Sequence, residues 1–168
     1  MKKLLIVAAA GCVAAIALAA VTVVGAKGQG GALNAVGQRA EFNIDAKKSR
    51  DANGHVVVGG FAKFISFAGT NTNPISHGIT VPLVRTLAKS GRICQFAGPA
   101  SMVVREGAHV VTVHGVCTFN VTDRRSPLHP GDPDLIRVRF VQATSNHVYE
   151  WGGAVNRGDI EVYERIIN

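Results

Sequence analysis

From residue 38 onward the chain alternates apolar and polar side chains with a period of two. Ala40, Phe42, Ile44 and Ala46 share one face and Arg39, Glu41, Asn43, Asp45 and Lys47 the other, which predicts a first strand over residues 38–47. Residues 49–54 follow as a turn, where Asn53-Gly54 suits positive φ values. A second strand over residues 55–68 is rich in Val and Phe, with Gly59-Gly60 as a bend in its middle. After a polar loop over residues 69–76, residues 77–87 read as a third strand with Ile79, Val81, Leu83 and Leu87 on one side and Pro82 marking an edge or bulge. Residues 135–143, 147–154 and 159–167 complete the set, with Asn156-Arg157-Gly158 expected as a hairpin turn between the last two.

Residues 90–123 organise the centre of the chain as a hairpin. Val111, Val113, Cys117, Phe119 and Val121 share one parity, and Val110, Thr112, His114, Thr118 and Asn120 the other, so one face is buried. With Glu106-Gly107 as the turn, Arg105 would pair with Ala108, and Cys94, Phe96, Gly98, Ala100 and Met102 would oppose Phe119, Cys117, Gly115, Val113 and Val111. Both cysteines then look inward as diagonal neighbours, and a bulge at Gly98-Pro99 would bring them into direct opposition.

About eight strands result, and no apolar period of 3.6 persists anywhere in this part of the chain. The class is all-β: a small antiparallel barrel, or alternatively a two-sheet sandwich. The mid-strand glycines Gly59, Gly60, Gly98 and Gly115 favour the barrel because they sit where a strand would have to bend.

The N-terminus has a different character. Met1-Lys2-Lys3 and the apolar run over residues 4–24 resemble the charged and greasy regions of a secretory signal, and Val24-Gly25-Ala26 offers a cleavage site between Ala26 and Lys27. Residues 1–26 are therefore expected to be a signal helix, residues 27–37 a flexible Gly-rich linker, and residues 38–168 a single domain. The apolar run exceeds the roughly 7–15 residues of an ordinary signal core and is about long enough to span a bilayer, so an uncleaved anchor is the alternative. Lipidation at Cys12 is a third route. Removing the signal leaves Cys94 and Cys117, an even pair in an exported domain, which predicts a disulfide contributing roughly 3 kcal/mol.

Charge narrows the function classes. Eighteen Lys and Arg against eleven Asp and Glu give a net +7. The basic residues are scattered, with Lys47-Lys48 and Arg124-Arg125 the adjacent pairs of the domain, so nucleic acid is not expected as a partner.

Six histidines and several acids invite a search for chemistry. His109 and His114 have opposite parity on one strand, while His55, His77, His129 and His147 fall at turns or strand ends. Asp123, Asp132 and Asp134 lie in or beside the Pro-rich connection over residues 122–134, where oxygen ligands could hold calcium, but turn-forming aspartates beside prolines are the simpler reading. Glu150 beside Trp151 could be a carboxylate in an aromatic pocket. The chain has no Gly-x-Ser-x-Gly, phosphate-binding loop or His-Glu-x-x-His, so no catalytic, cofactor or metal residue is assigned.

Phe42, Gly54-His55, His77-Gly78, Arg92-Ile93-Cys94, Pro130-Gly131-Asp132-Pro133-Asp134, Gly152-Gly153 and Gly158-Asp159-Ile160 are similar to a family of exported bacterial β-domains of unknown function, the post-COAP-like domains. The likeness covers roughly residues 37–163 and departs at Arg124-Arg125, where the family pattern has an Asn-Gly turn. It implies an exported, barrel-like domain and no catalytic residues. The expected function is non-catalytic: contributing to the cell surface, or binding a ligand or cell-envelope partner outside the cytoplasm through loops such as residues 69–76 or 122–134. Phe42, Phe61, Phe96, Phe119 and Phe140 are expected to fill the interior. The rival is a small barrel enzyme of isomerase or cyclase type with an internal pocket.

Overall fold

A computed structural model describes residues 20–70, 72–125 and 131–167. Of the signal or anchor helix expected over residues 1–26, residues 1–19 lie outside the described residues, while Val21 to Ala26 are strand rather than helix.

Nine antiparallel strands form one sheet: β1 (Val21–Leu33), β2 (Arg39–Arg50), β3 (Val56–Gly69), β4 (Pro74–Val81), β5 (Thr86–Ser90), β6 (Ile93–Glu106), β7 (His109–Thr122), β8 (Leu135–Gln142) and β9 (Val148–Ile167). The order is β4-β3-β2-β1-β9-β8-β7-β6-β5, and a further pairing of β4 with β6 closes eight of them into a ring. The barrel expected from the alternation is the observed architecture, but it is uneven. The second half of β6 pairs with β4 and its first half with β5, so β5 lies along one end of the ring, touching β1 and β2.

The linker expectation is overturned. Residues 27–33 belong to β1, a strand paired along its length with β2 on one side and β9 on the other. Its glycines mimic a tether in the sequence, yet packing demands them. A Cβ at Gly28 would strike the carbonyl oxygen of Asp159, and one at Gly30 that of Arg157. Cleavage between Ala26 and Lys27 is equally at odds with the fold, because it would divide a strand whose Ala26 is fully buried.

The expected turn at Asn156-Arg157-Gly158 is also corrected. Gly31 pairs with Arg157 and Ala32 with Val155, so Asn156 is an extra residue in one continuous strand. The bulge inverts the parity: Trp151 and Val155 are buried before it, Ile160 after it. A reversed alternation beside a glycine at φ +86° imitates a hairpin in the sequence. The expected third strand is divided at Pro82-Leu83 instead. Val81 and Val84 are buried while Leu83 faces solvent, because the chain turns a corner there between β4 and β5.

Gly59-Gly60 does bend its strand: Gly60 has φ +112° and its carbonyl accepts a hydrogen bond from Val84 N at 2.9 Å. Inside the ring, Phe42, Phe64, Phe96, Phe119, Phe140, Trp151, Ile44, Ile79, Ile136 and Ile160 pack together. Phe61 is not among them. It pairs with Asp45 on the outer parity, and Phe64 takes the inward position.

The disulfide expectation fails on register. The β6–β7 turn is Gly107-Ala108 with Glu106 opposite His109, so Cys94 faces Val121 and Cys117 faces Gly98 without a bulge. The cysteines stand four positions apart along the ladder, about 13 Å at roughly 3.3 Å per residue, against the Cα separation of roughly 5.5–6 Å that a bridge needs. Both are free, buried thiols.

Candidate functional site

The apolar inward and charged outward alternation produces a filled interior and a polar wall, the reverse of a lipid-facing barrel. Two buried polar side chains occur among the described residues, Ser66 and Asp134, and the first belongs to a cluster of three. Near the end of the ring where β3 meets β4, Ser66 on β3 and His77 on β4 are cross-strand partners, and Tyr149 reaches them from β9. The Ser66 and Tyr149 hydroxyls meet at 2.6 Å, and the His77 ring stacks on Tyr149 with centroids 4.6 Å apart. Burial lowers the pKa of His77 and raises that of Tyr149. His77 Nδ1 and Trp151 Nε1 are buried without a hydrogen-bond partner. The trio ties β3, β4 and β9 together, but it contains no hydrogen bond from His77 to either hydroxyl, so it does not form a nucleophile-and-base relay.

The outer wall offers a different kind of site. On the outward parity of β3, β4 and β6, Gly78 lies directly between Ile65 and Val103. A glycine in a strand interior costs roughly 0.5–1 kcal/mol relative to alanine, and it is normally required by a positive φ or by close approach. Neither holds at Gly78: its φ is not in the left-handed region, and an added Cβ would find nothing nearer than Val103 O at 3.9 Å. The missing side chain leaves a shallow groove of about 440 Å³. It is bordered by the apolar Ile65 and Val103 and by the polar Asn43, Lys63, Ser76, Thr80 and Arg105. Glu41 also borders it but is engaged by Arg157 at 3.2 Å. Among the described residues neither Lys63 nor Arg105 is ion-paired.

No family model, curated protein or solved structure matches this chain. The site therefore stands on its own geometry.

The residues singled out by sequence are dispersed over the barrel. His55 caps its turn through Asp51, with Nδ1 3.0 Å from Oδ2; His109 and His114 are exposed five residues apart on β7, His147 is exposed just before β9, and His129 lies outside the described residues. No cluster of three His, Cys, Asp or Glu side chains able to hold a metal occurs among the described residues. Glu150 is on the outer wall, paired with Arg139 at 3.0 Å rather than in an aromatic pocket. The aspartates are structural. Asp134 is fully buried and accepts hydrogen bonds from the backbone N–H groups of Arg124 (2.9 Å), Arg125 (3.4 Å) and Ile160 (3.0 Å), fastening the 123–134 connection to β9. Asp123 holds Arg92 at 2.8 Å, and Asp132 lies 3.7 Å from Arg124.

Of the two loops expected to bind, the first shrinks to the few residues between β3 and β4, and the second is anchored at both ends by these carboxylates. Sequence reading missed Gly78 as a site residue. The available signal was a glycine inside an otherwise alternating strand with no turn residue beside it.

Proposed function

We propose that this is an exported, non-catalytic binding barrel that takes an anionic ligand with an apolar portion in the groove over Gly78. Export rests on the N-terminal Lys2-Lys3 and the apolar run behind them. The observation that carries the binding reading is Gly78 itself, a costly residue with no steric or conformational demand, which leaves open the space between Ile65 and Val103 beside Lys63 and Arg105, two cations not ion-paired among the described residues. Ile65 and Val103 supply apolar contact area, and Lys63 and Arg105 supply the charge selection. The filled interior argues against an internal pocket of the isomerase or cyclase kind.

Titration of ¹⁵N-labelled protein with decanoate and with decanol tests this reading. The expected result is a set of amide shifts confined to residues around Gly78, given by decanoate and lost in Lys63→Glu and Gly78→Phe proteins. Shifts centred on Phe96 and Phe119, or equal shifts with decanol, would overturn it.

A further inference from the structure

The fold restricts where an exported form of this chain can be processed. β1 begins at Val21, and its pairings reach its first residues: Val21 lies opposite Ile167 of β9, and Thr22 opposite Arg50 of β2. Gly25 and Ala26 are buried, and Tyr163 packs directly over Gly25. A cut after Ala26 would remove the first half of β1, leaving Ala46 to Arg50 of β2 and Val162 to Ile167 of β9 with unpaired edges facing each other across the gap. The cleaved bond must precede Val21.

Upstream of that limit, Ala17-Leu18-Ala19 places small residues three and one positions before a bond, the pattern a leader peptidase reads. We infer that processing hydrolyses the Ala19–Ala20 peptide bond, water adding across it to leave a carboxylate on Ala19 and a free amine on Ala20. The same assignment accounts for the long apolar run. Val21 to Val24 are strand residues, and the greasy core retracts to residues 4–16, within the roughly 7–15 residues typical of a cleaved signal and short of the roughly 20 that span a bilayer. The triplet Ala15-Ile16-Ala17 also satisfies the small-residue rule, but a cut there leaves Leu18 as an apolar overhang ahead of the barrel.

This inference rests on the export reading, and one experiment separates the two. The full chain is produced in a bacterium, recovered from medium, envelope and cytoplasm, and subjected to intact mass measurement and N-terminal sequencing. The expected product begins at Ala20 and is found outside the cytoplasm, and Ala19→Arg accumulates the precursor. A product beginning at Leu18 or Lys27, a lipid-modified Cys12, or an uncleaved chain in the membrane overturns the processing site while leaving export standing. An uncleaved soluble chain in the cytoplasm overturns both. As an independent check, chains beginning at Ala20 and at Lys27 are compared directly. The first is expected to give dispersed amide spectra and the second a collapsed one; a well-folded second chain would remove the structural argument.

Discussion

Phe96 stacks on Phe119 across β6 and β7, ring centroids 5.2 Å apart and planes within 5° of parallel. That pairing accompanies the register that holds Cys94 and Cys117 four positions apart. Burial pushes the Cys94 thiol up to about 11 and the Cys117 thiol up to about 12, so both stay protonated and unreactive in the folded protein at neutral pH. Iodoacetamide at pH 8 should therefore label neither thiol in native protein and both in 6 M guanidinium. The thermal midpoint should be the same with and without a reductant. A midpoint lowered by reductant would restore the disulfide.

The glycines of the barrel divide into two kinds, and substitution should separate them. Gly30→Val drives a branched side chain into the Arg157 carbonyl and Gly158 and should cost more than about 3 kcal/mol, above the usual range for overpacking because backbone must yield. Gly78→Ala meets open space and should stabilise by about 0.5 kcal/mol through its lower unfolded-state entropy. Urea unfolding measures both. A tether reading of residues 27–37 predicts no effect at Gly30, so the first value alone decides between the two.

Those same residues show how far the sequence could be read. The strands of the barrel that alternate with ordinary side chains, such as Ala40 to Ala46 and Ile136 to Phe140, declare themselves because one face is buried and the other is wet. β1 hides because the strands crowd it so closely that glycine replaces the side chains whose alternation would reveal it. β9 divides in the sequence because one bulge at Asn156 reverses its parity, and a bulge is set by the partner strand rather than by local residues. The β6–β7 register differs from the expected one by two residues for a similar reason: Gly107 with φ +56° closes the turn one residue later than Glu106-Gly107 suggests, so Cys94 faces Val121 rather than Phe119. The groove at Gly78 depends on what stands on either side of it, and neither Ile65 nor Val103 is near it in the chain.

Asp134 satisfies three backbone donors from the interior, and replacing it tests whether the 123–134 connection is fastened by that carboxylate. Asp134→Asn turns one acceptor oxygen into a donor, leaving at least one buried N–H facing another N–H, and should cost about 3 kcal/mol. Amide exchange at Arg124, Arg125 and Ile160 should accelerate more than exchange in β6. The Asp159 pKa, raised first by burial and then by the hydrogen bond and charge of Asp134, should fall in this protein. An Asp159 titration unchanged by the substitution would show that the two carboxyls do not interact.

His77 sets a pH dependence whose sign follows from its burial. Desolvation lowers its folded pKa below the ordinary value of 6.5, so the unfolded chain binds the proton more readily than the native one. The associated stability is fully present above pH 6.5 and is lost as pH falls from 6.5 through the lowered folded value. His77→Phe keeps a ring against Tyr149, removes the unpartnered Nδ1 and should flatten the decline between pH 6.5 and pH 5. The exposed histidines are common to both proteins and drop out of the comparison. Urea midpoints at half-unit pH steps give the two curves, and NMR titration of the His77 ring gives its folded pKa directly. A ring titrating at or above 6.5 would mean that water reaches Nδ1, and the end of the barrel beside Ser66 and Tyr149 would then have to be open.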